Sequence, residues 1–247
     1  MSDGVGGTPG PDQARARAEV HHQHRDVTGG WLRPAVFGAM DGLVSNFALI
    51  AGVAGGTSDT TVISLAGAAG LAAGAFSMAG GEYVSVASQR ELAQAEIDVE
   101  RRELARNPED EEDELAQLYV SRGVDPETAK EVARQISRDP DQALQVHTMA
   151  ELGVSPGGLP SPVLAAGSSF LSFAVGALIP LLPYLLGVRG LWLSAGLSAA
   201  ALFSAGVVVA RVTARPWWFS GLRQLVVGLV AAGLTWGLGS LIGASGL

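Results

Sequence analysis

Asp41 lies in an otherwise apolar run, residues 35–53, with Ser45 one helical turn away and Asn46 five residues on. A carboxylate within hydrocarbon costs roughly 2.5–3.5 kcal/mol on insertion scales, so such acids usually face a bundle interior and mark ion paths. The plainer alternative is an interhelical hydrogen bond, and for Asn46 the joining of two helices. A second apolar run carries Met78 and Glu82, four apart and therefore on one helix face. A thioether is a soft ligand, suited to transition metals rather than to Mg²⁺ or Ca²⁺. Met alone is ordinary core packing; the acid one turn away makes the pair a candidate for cation handling.

A different chemistry occupies residues 82–151, which hold 18 of the 24 Asp and Glu residues against 8 basic ones, a net charge of −10. Carboxylates recur there at one-turn spacing: Glu96, Glu100 and Glu103, then Glu111 and Glu114. His147 and Glu151 form an i,i+4 pair with Met149 between them. Three helices, each offering such a pair, can converge on a cation. Carboxylates with one imidazole or thioether suit Fe²⁺ or Mn²⁺ and do not suit a closed zinc site. The competing reading is a solvated acidic face, the commoner meaning of charge runs.

Composition narrows the class. Of 247 residues, 48% are hydrophobic and 33 are glycine, which is close to a polytopic membrane protein and far from a disordered chain. The single lysine, Lys130, and the overall charge of −8 argue against nucleic-acid binding. With no cysteine, disulfides, thiolate metal sites and cysteine nucleophiles are excluded. No Walker-type glycine loop is present. Ser77 has no plausible histidine partner in its apolar surroundings, so the chain reads as no enzyme.

The elements that must position these residues follow from the apolar pattern. Spans are expected at 31–53, 61–87, 162–188, 191–210 and 217–242, each near the ~20 residues that cross ~30 Å of hydrocarbon. Lipid cannot satisfy free backbone groups, so these are helices and the fold is all-α. The stretch 82–106 lacks Gly and Pro, so the second span should continue as one long helix until Asn107-Pro108 stops it. Helices are then expected at about 109–122, 126–138 and 140–152, two of them started by Asp-Pro as N-cap and first-turn proline. The predicted organisation is a tail (1–30), two spans (31–87), a cytosolic helical metal-binding domain (88–160) and three spans (161–247).

Residues 1–30 have no apolar core and read as a mobile tail, in which His21, His22 and His24 would hold metal only loosely. Basic residues fix the orientation. Arg25, Arg33, Arg90, Arg101, Arg102, Arg106, Arg211, Arg215 and Arg223 fall on one side and Arg189 alone on the other. The positive-inside rule puts the N-terminus and the acidic insert in the cytosol, and five crossings leave the C-terminus outside.

Two segments carry a family resemblance. Phe37-Gly38-Ala39-Met40-Asp41-Gly42-Leu43-Val44-Ser45-Asn46 and Gly74-Ala75-Phe76-Ser77-Met78-Ala79-Gly80-Gly81-Glu82-Tyr83-Val84-Ser85, with the Ser88-Gln89-Arg90-Glu91 continuation, closely resemble the vacuolar iron transporter family. The resemblance runs over nearly the whole chain from Trp31 onward. It implies a proton-coupled exporter of cytosolic Fe²⁺, or of Mn²⁺, working as a homodimer in a lipid bilayer. The membrane would be vacuolar-type in a eukaryote and the plasma membrane in a bacterium. It further implies that Asp41 and Met78 line the path, with Glu82 and Asn46 near it. Metal would be gathered by Glu100, Glu103, Glu111, Glu114 and Glu151. The family's last insert helix brings a Met a turn before its final Glu; here that position is His147, and Met149 lies two residues later. The resemblance implies no tightly bound cofactor, the metal being substrate. A membrane-anchored sensing or buffering module without flux is the rival from another class.

Overall fold

The computed structural model describes residues 30–188, 190–213 and 215–245. The expected tail with His21, His22 and His24, and the flanking Arg25 and Arg189, lie outside them. Among the described residues the fold is entirely helical. In chain order the helices are α1 (Leu32–Gly56), α2 (Thr60–Arg106), α3 (Pro108–Ser121), α4 (Pro126–Ile136), α5 (Pro140–Glu151), α6 (Pro162–Leu185), α7 (Leu191–Thr213) and α8 (Trp217–Ser245). Five of them, α1, α2, α6, α7 and α8, are long and apolar enough to cross a membrane.

The long second helix is as expected. At ~1.5 Å per residue, the 47 residues of α2 extend about 70 Å, so its C-terminal half projects well past ~30 Å of hydrocarbon. It begins where Asp59 caps it, Oδ1 accepting from the Thr61 backbone N–H at 2.8 Å. It ends at Asn107, ahead of Pro108, the first residue of α3. Asp125 and Asp139 cap α4 and α5, accepting from Thr128 N–H and from Asp141 and Gln142 N–H. The sixth helix stops three residues earlier than its apolar run suggests. Leu186 and Gly187 turn the chain there, and Gly187 takes a φ of 77°, open to glycine at little cost.

Helix α1 is the hub of the bundle, packed between α6, α8 and α2. Its contact with α6 is backbone on backbone. A Cβ at Gly42 would run into the Phe173 carbonyl, with Phe173 C at 2.9 Å, and one at Gly176 would meet Ala39 and Leu43. Such close approach is the usual packing of membrane helices, where small residues replace a hydrophobic driving force. Gly42→Ala is therefore expected to lower stability by about 3 kcal/mol, the upper end of overpacking costs, because backbone cannot step aside. A detergent melting curve checks it, and an unchanged midpoint would contradict the contact. On α8, Gly239 and Gly243 pack against Gly52 and Gly56 of α1, whereas Gly233 and Gly237 meet nothing within 4 Å.

Outside the bundle, α3 packs on α4 around Leu115, Ala116 and Ala133, while α5 lies along the far half of α2. The fold thereby brings the acid-bearing faces of α2, α3 and α5 to one place.

Candidate functional site

Two arrangements collect the residues singled out from the sequence. The first is a groove of about 420 Å³ between α1, α2 and α6. Asp41, Ser45 and Asn46 line it from α1, Gly70, Gly74, Ser77 and Met78 from α2, and Phe173 from α6. Asp41 is the tenth residue of the 25 in α1, roughly 15 Å along the helix and well inside the apolar span. Helical period places Phe37, Asp41, Ser45 and Leu49 in one row, and all four are exposed along the groove's open side. Ser45 Oγ donates to the Asp41 backbone carbonyl at 2.5 Å, the back-bond that hides a hydroxyl in an apolar helix. No arginine, lysine or histidine pairs with Asp41 among the described residues.

Asn46 forms the closed back wall, 2% exposed, its Nδ2 donating to the Ala177 carbonyl of α6 at 2.6 Å. Helix joining, the plainer role expected of it, is thus present. Phe173 was not foreseen. It lies on a third helix with nothing in sequence to link it to Asp41, and its ring fills the space left by Gly74. Glu82, one turn from Met78, borders a separate recess of about 290 Å³ with Arg33, Ser85, Gln89 and Pro160.

The second arrangement is at the meeting of α2, α3 and α5. His147, 1% exposed, points between three glutamates, each from a different helix turn. Its Nδ1 lies 3.1 Å from Glu100 Oε1, 3.6 Å from Glu151 Oε1 and 3.7 Å from Glu111 Oε2. None of these approaches has hydrogen-bond geometry; His147 Nδ1 and Nε2 and Glu100 Oε1 are buried without a hydrogen-bond partner. Ligand atoms of Glu100, His147 and Glu151 all fall within 4.8 Å of one another, which suits a single dication. Burial, and then the charges of Glu151 and Glu111, push the Glu100 carboxyl up to about 7. Glu111 is raised by burial and then by Glu114 and Glu103.

Glu103 and Glu114 stand exposed beside this cluster and add field without joining its ligand atoms. Met149 is 52% exposed. Two residues on from His147 is about 200° around a helix, so the two cannot serve one site. Glu100, Glu111 and Glu151 thus come together, with the imidazole rather than the thioether among them.

The comparisons with known proteins come down on one family. The model of the VIT family matches residues 32–240. A vacuolar iron transporter of Acanthamoeba castellanii is 40% identical over 228 residues, covering 89% of this chain and 82% of that protein. Vacuolar iron transporter 1 of Oryza sativa subsp. japonica is 29% identical over 235 residues, 94% of this chain and 93% of the relative. Vacuolar iron transporter 1 of Arabidopsis thaliana is 29% identical over 229 residues, 90% of each chain.

Proposed function

The chain belongs to the VIT family, and on that premise we propose that it carries Fe²⁺ out of the cytosol in exchange for protons. It is an integral membrane transporter and not an enzyme. Relatives named as vacuolar iron transporters support iron as cargo and a vacuolar-type membrane as location. One observation carries the mechanism: a carboxylate well inside an apolar span, without a basic partner among the described residues, faces a groove that also holds a thioether.

In this reading the insert is a cytosolic metal-binding domain. Basic flanks such as Arg90, Arg101 and Arg106 support that side, as the positive-inside rule requires. Glu100, Glu111, His147 and Glu151 hold the ion there, and Glu103 and Glu114 draw it in. Glu82, in its recess at the start of the span, passes it to Met78 and Asp41. A proton arriving from the far side neutralises Asp41, weakens its hold on the dication and releases it. The soft Met78 thioether at one station and the His147 imidazole, a nitrogen donor suited to iron, at the other favour Fe²⁺ over the harder Mn²⁺.

The exposed row Phe37, Asp41, Ser45 and Leu49 supports a homodimer. Left to lipid, the charge would cost roughly 2.5–3.5 kcal/mol, and a second copy covering the groove turns it into an internal path.

The test is metal uptake by acid-inside liposomes holding the full chain, with Fe²⁺ kept reduced and Mn²⁺ and Ca²⁺ in parallel. Uptake of Fe²⁺ above Mn²⁺, none of Ca²⁺, and collapse on adding a protonophore are expected. Tight Fe²⁺ binding with no flux would replace the reading with a membrane-anchored buffering module, for which the buried cluster alone suffices.

A further inference from the structure

We infer that Asn46 Oδ1 is a fixed neutral ligand for the travelling dication, the seat next after Asp41, and that Gly70 keeps the space in front of it. The inference rests on the transport reading and adds a step to it. Asn46 is buried, and its Nδ2 is committed to the Ala177 carbonyl at 2.6 Å. That bond settles which way the amide faces, since a flip would set its oxygen against the Ala177 oxygen. Oδ1 has no hydrogen-bond partner, and the residue lines the groove. Helix joining uses only the nitrogen. A buried carbonyl oxygen left over is costly unless something engages it.

Gly70, on the facing helix, is the second observation. A Cβ there would stand 2.9 Å from Asn46 Oδ1 and would press on the Leu49 methyl. The missing side chain leaves open space in front of an oxygen that is itself buried, with the Leu49 methyl beside it, so an ion reaches Oδ1 once that methyl swings aside. Along α1, Asn46 is five residues beyond Asp41, about 7 Å farther from the acidic insert. An ion moving down the groove passes the carboxylate and thioether first and the amide next. A neutral oxygen suits that place, because a site must hold the ion well enough to admit it and weakly enough to let it go.

The experiment measures initial Fe²⁺ uptake against concentration in acid-inside liposomes, with thermal stability followed in detergent. Asn46→Leu should raise KM by roughly tenfold or more, the scale of losing one metal-site partner. Asn46→Asp should lower KM and lower kcat, as a charged oxygen holds the ion too long. Gly70→Ala leaves the bond to Ala177 in place and should still raise KM, because it fills the space before Oδ1. A role confined to helix joining predicts the reverse: both Asn46 variants melt early, while KM stays at the wild-type value in all three proteins. That result would overturn the inference and leave the transport reading standing. A wild-type protein with no Fe²⁺ flux would overturn both.

Discussion

Replacing Asp41 with Asn should abolish proton-driven Fe²⁺ uptake without weakening the fold. The two effects have opposite physical signs. Among the described residues the carboxylate is the one charged ligand lining the groove, where it sits with Met78, Ser45 and Asn46. A charge-assisted contact is worth about 1.5–3 kcal/mol, so its loss predicts a fall in uptake of at least about tenfold and toward 100-fold. The same substitution removes a charge from the apolar span, which on insertion scales favours the membrane-embedded state. The melting midpoint should therefore hold or rise while transport collapses. Asn also cannot exchange a proton, so whatever flux remains should no longer respond to the pH gradient. Asp41→Glu keeps the charge one methylene farther out and should keep part of the gradient dependence. Gradient-driven uptake by Asp41→Asn at the wild-type rate would end the exchange mechanism, whatever the fate of the cluster around His147.

The sequence exposes this site unevenly, and the reasons are physical. Asp41 stands out because a lone acid in an apolar helix is expensive wherever it points. Helix ends were legible to within a few residues because their signals are local: Asp125 and Asp139 as caps, and Pro108 as a stop. The convergence of α2, α3 and α5 was suggested by one-turn acid spacing, yet that spacing could not choose among the acids. Glu100 and Glu103 look alike in the sequence; packing buries the first and leaves the second in the open. Met149 and His147 were separable only once the azimuth of α5 was fixed by its contact with α2. Phe173 and Gly70 were invisible as site residues, since their role is to shape space between helices that are distant in sequence. Asn46 was seen as a joining amide, and its spare oxygen needed coordinates.

The cluster around His147 predicts a stability that runs against the usual pH trend for acidic residues and is reversed by metal. Glu100 ionises at about 7 when folded, chiefly through burial and then through Glu151 and Glu111, against 4.5 for an ordinary glutamate. Between those two values the folded state keeps a proton that the unfolded chain would release. The resulting stability is fully present below 4.5 and is lost as pH rises through about 7. In metal-free protein, amide exchange of α5 should therefore quicken from pH 5.5 to 7.5, after correction for the intrinsic rate. A dication binding to Glu100, His147 and Glu151 does what the proton did, cancelling repulsion between carboxylates, and binds better once that proton has left. Added Fe²⁺ should thus slow α5 exchange strongly at pH 7.5 and little at 5.5. Glu100→Gln removes the titrating group, so the pH trend of the metal-free protein should flatten. His147→Ala should leave much of the trend, since burial and glutamate charges cause it, yet weaken Fe²⁺ protection by roughly 10- to 100-fold in concentration. Mn²⁺, less dependent on a nitrogen ligand, should lose less. Exchange in α5 that ignores both pH and Fe²⁺ in the wild-type chain would mean that these glutamates are a solvated face and the collecting site lies elsewhere.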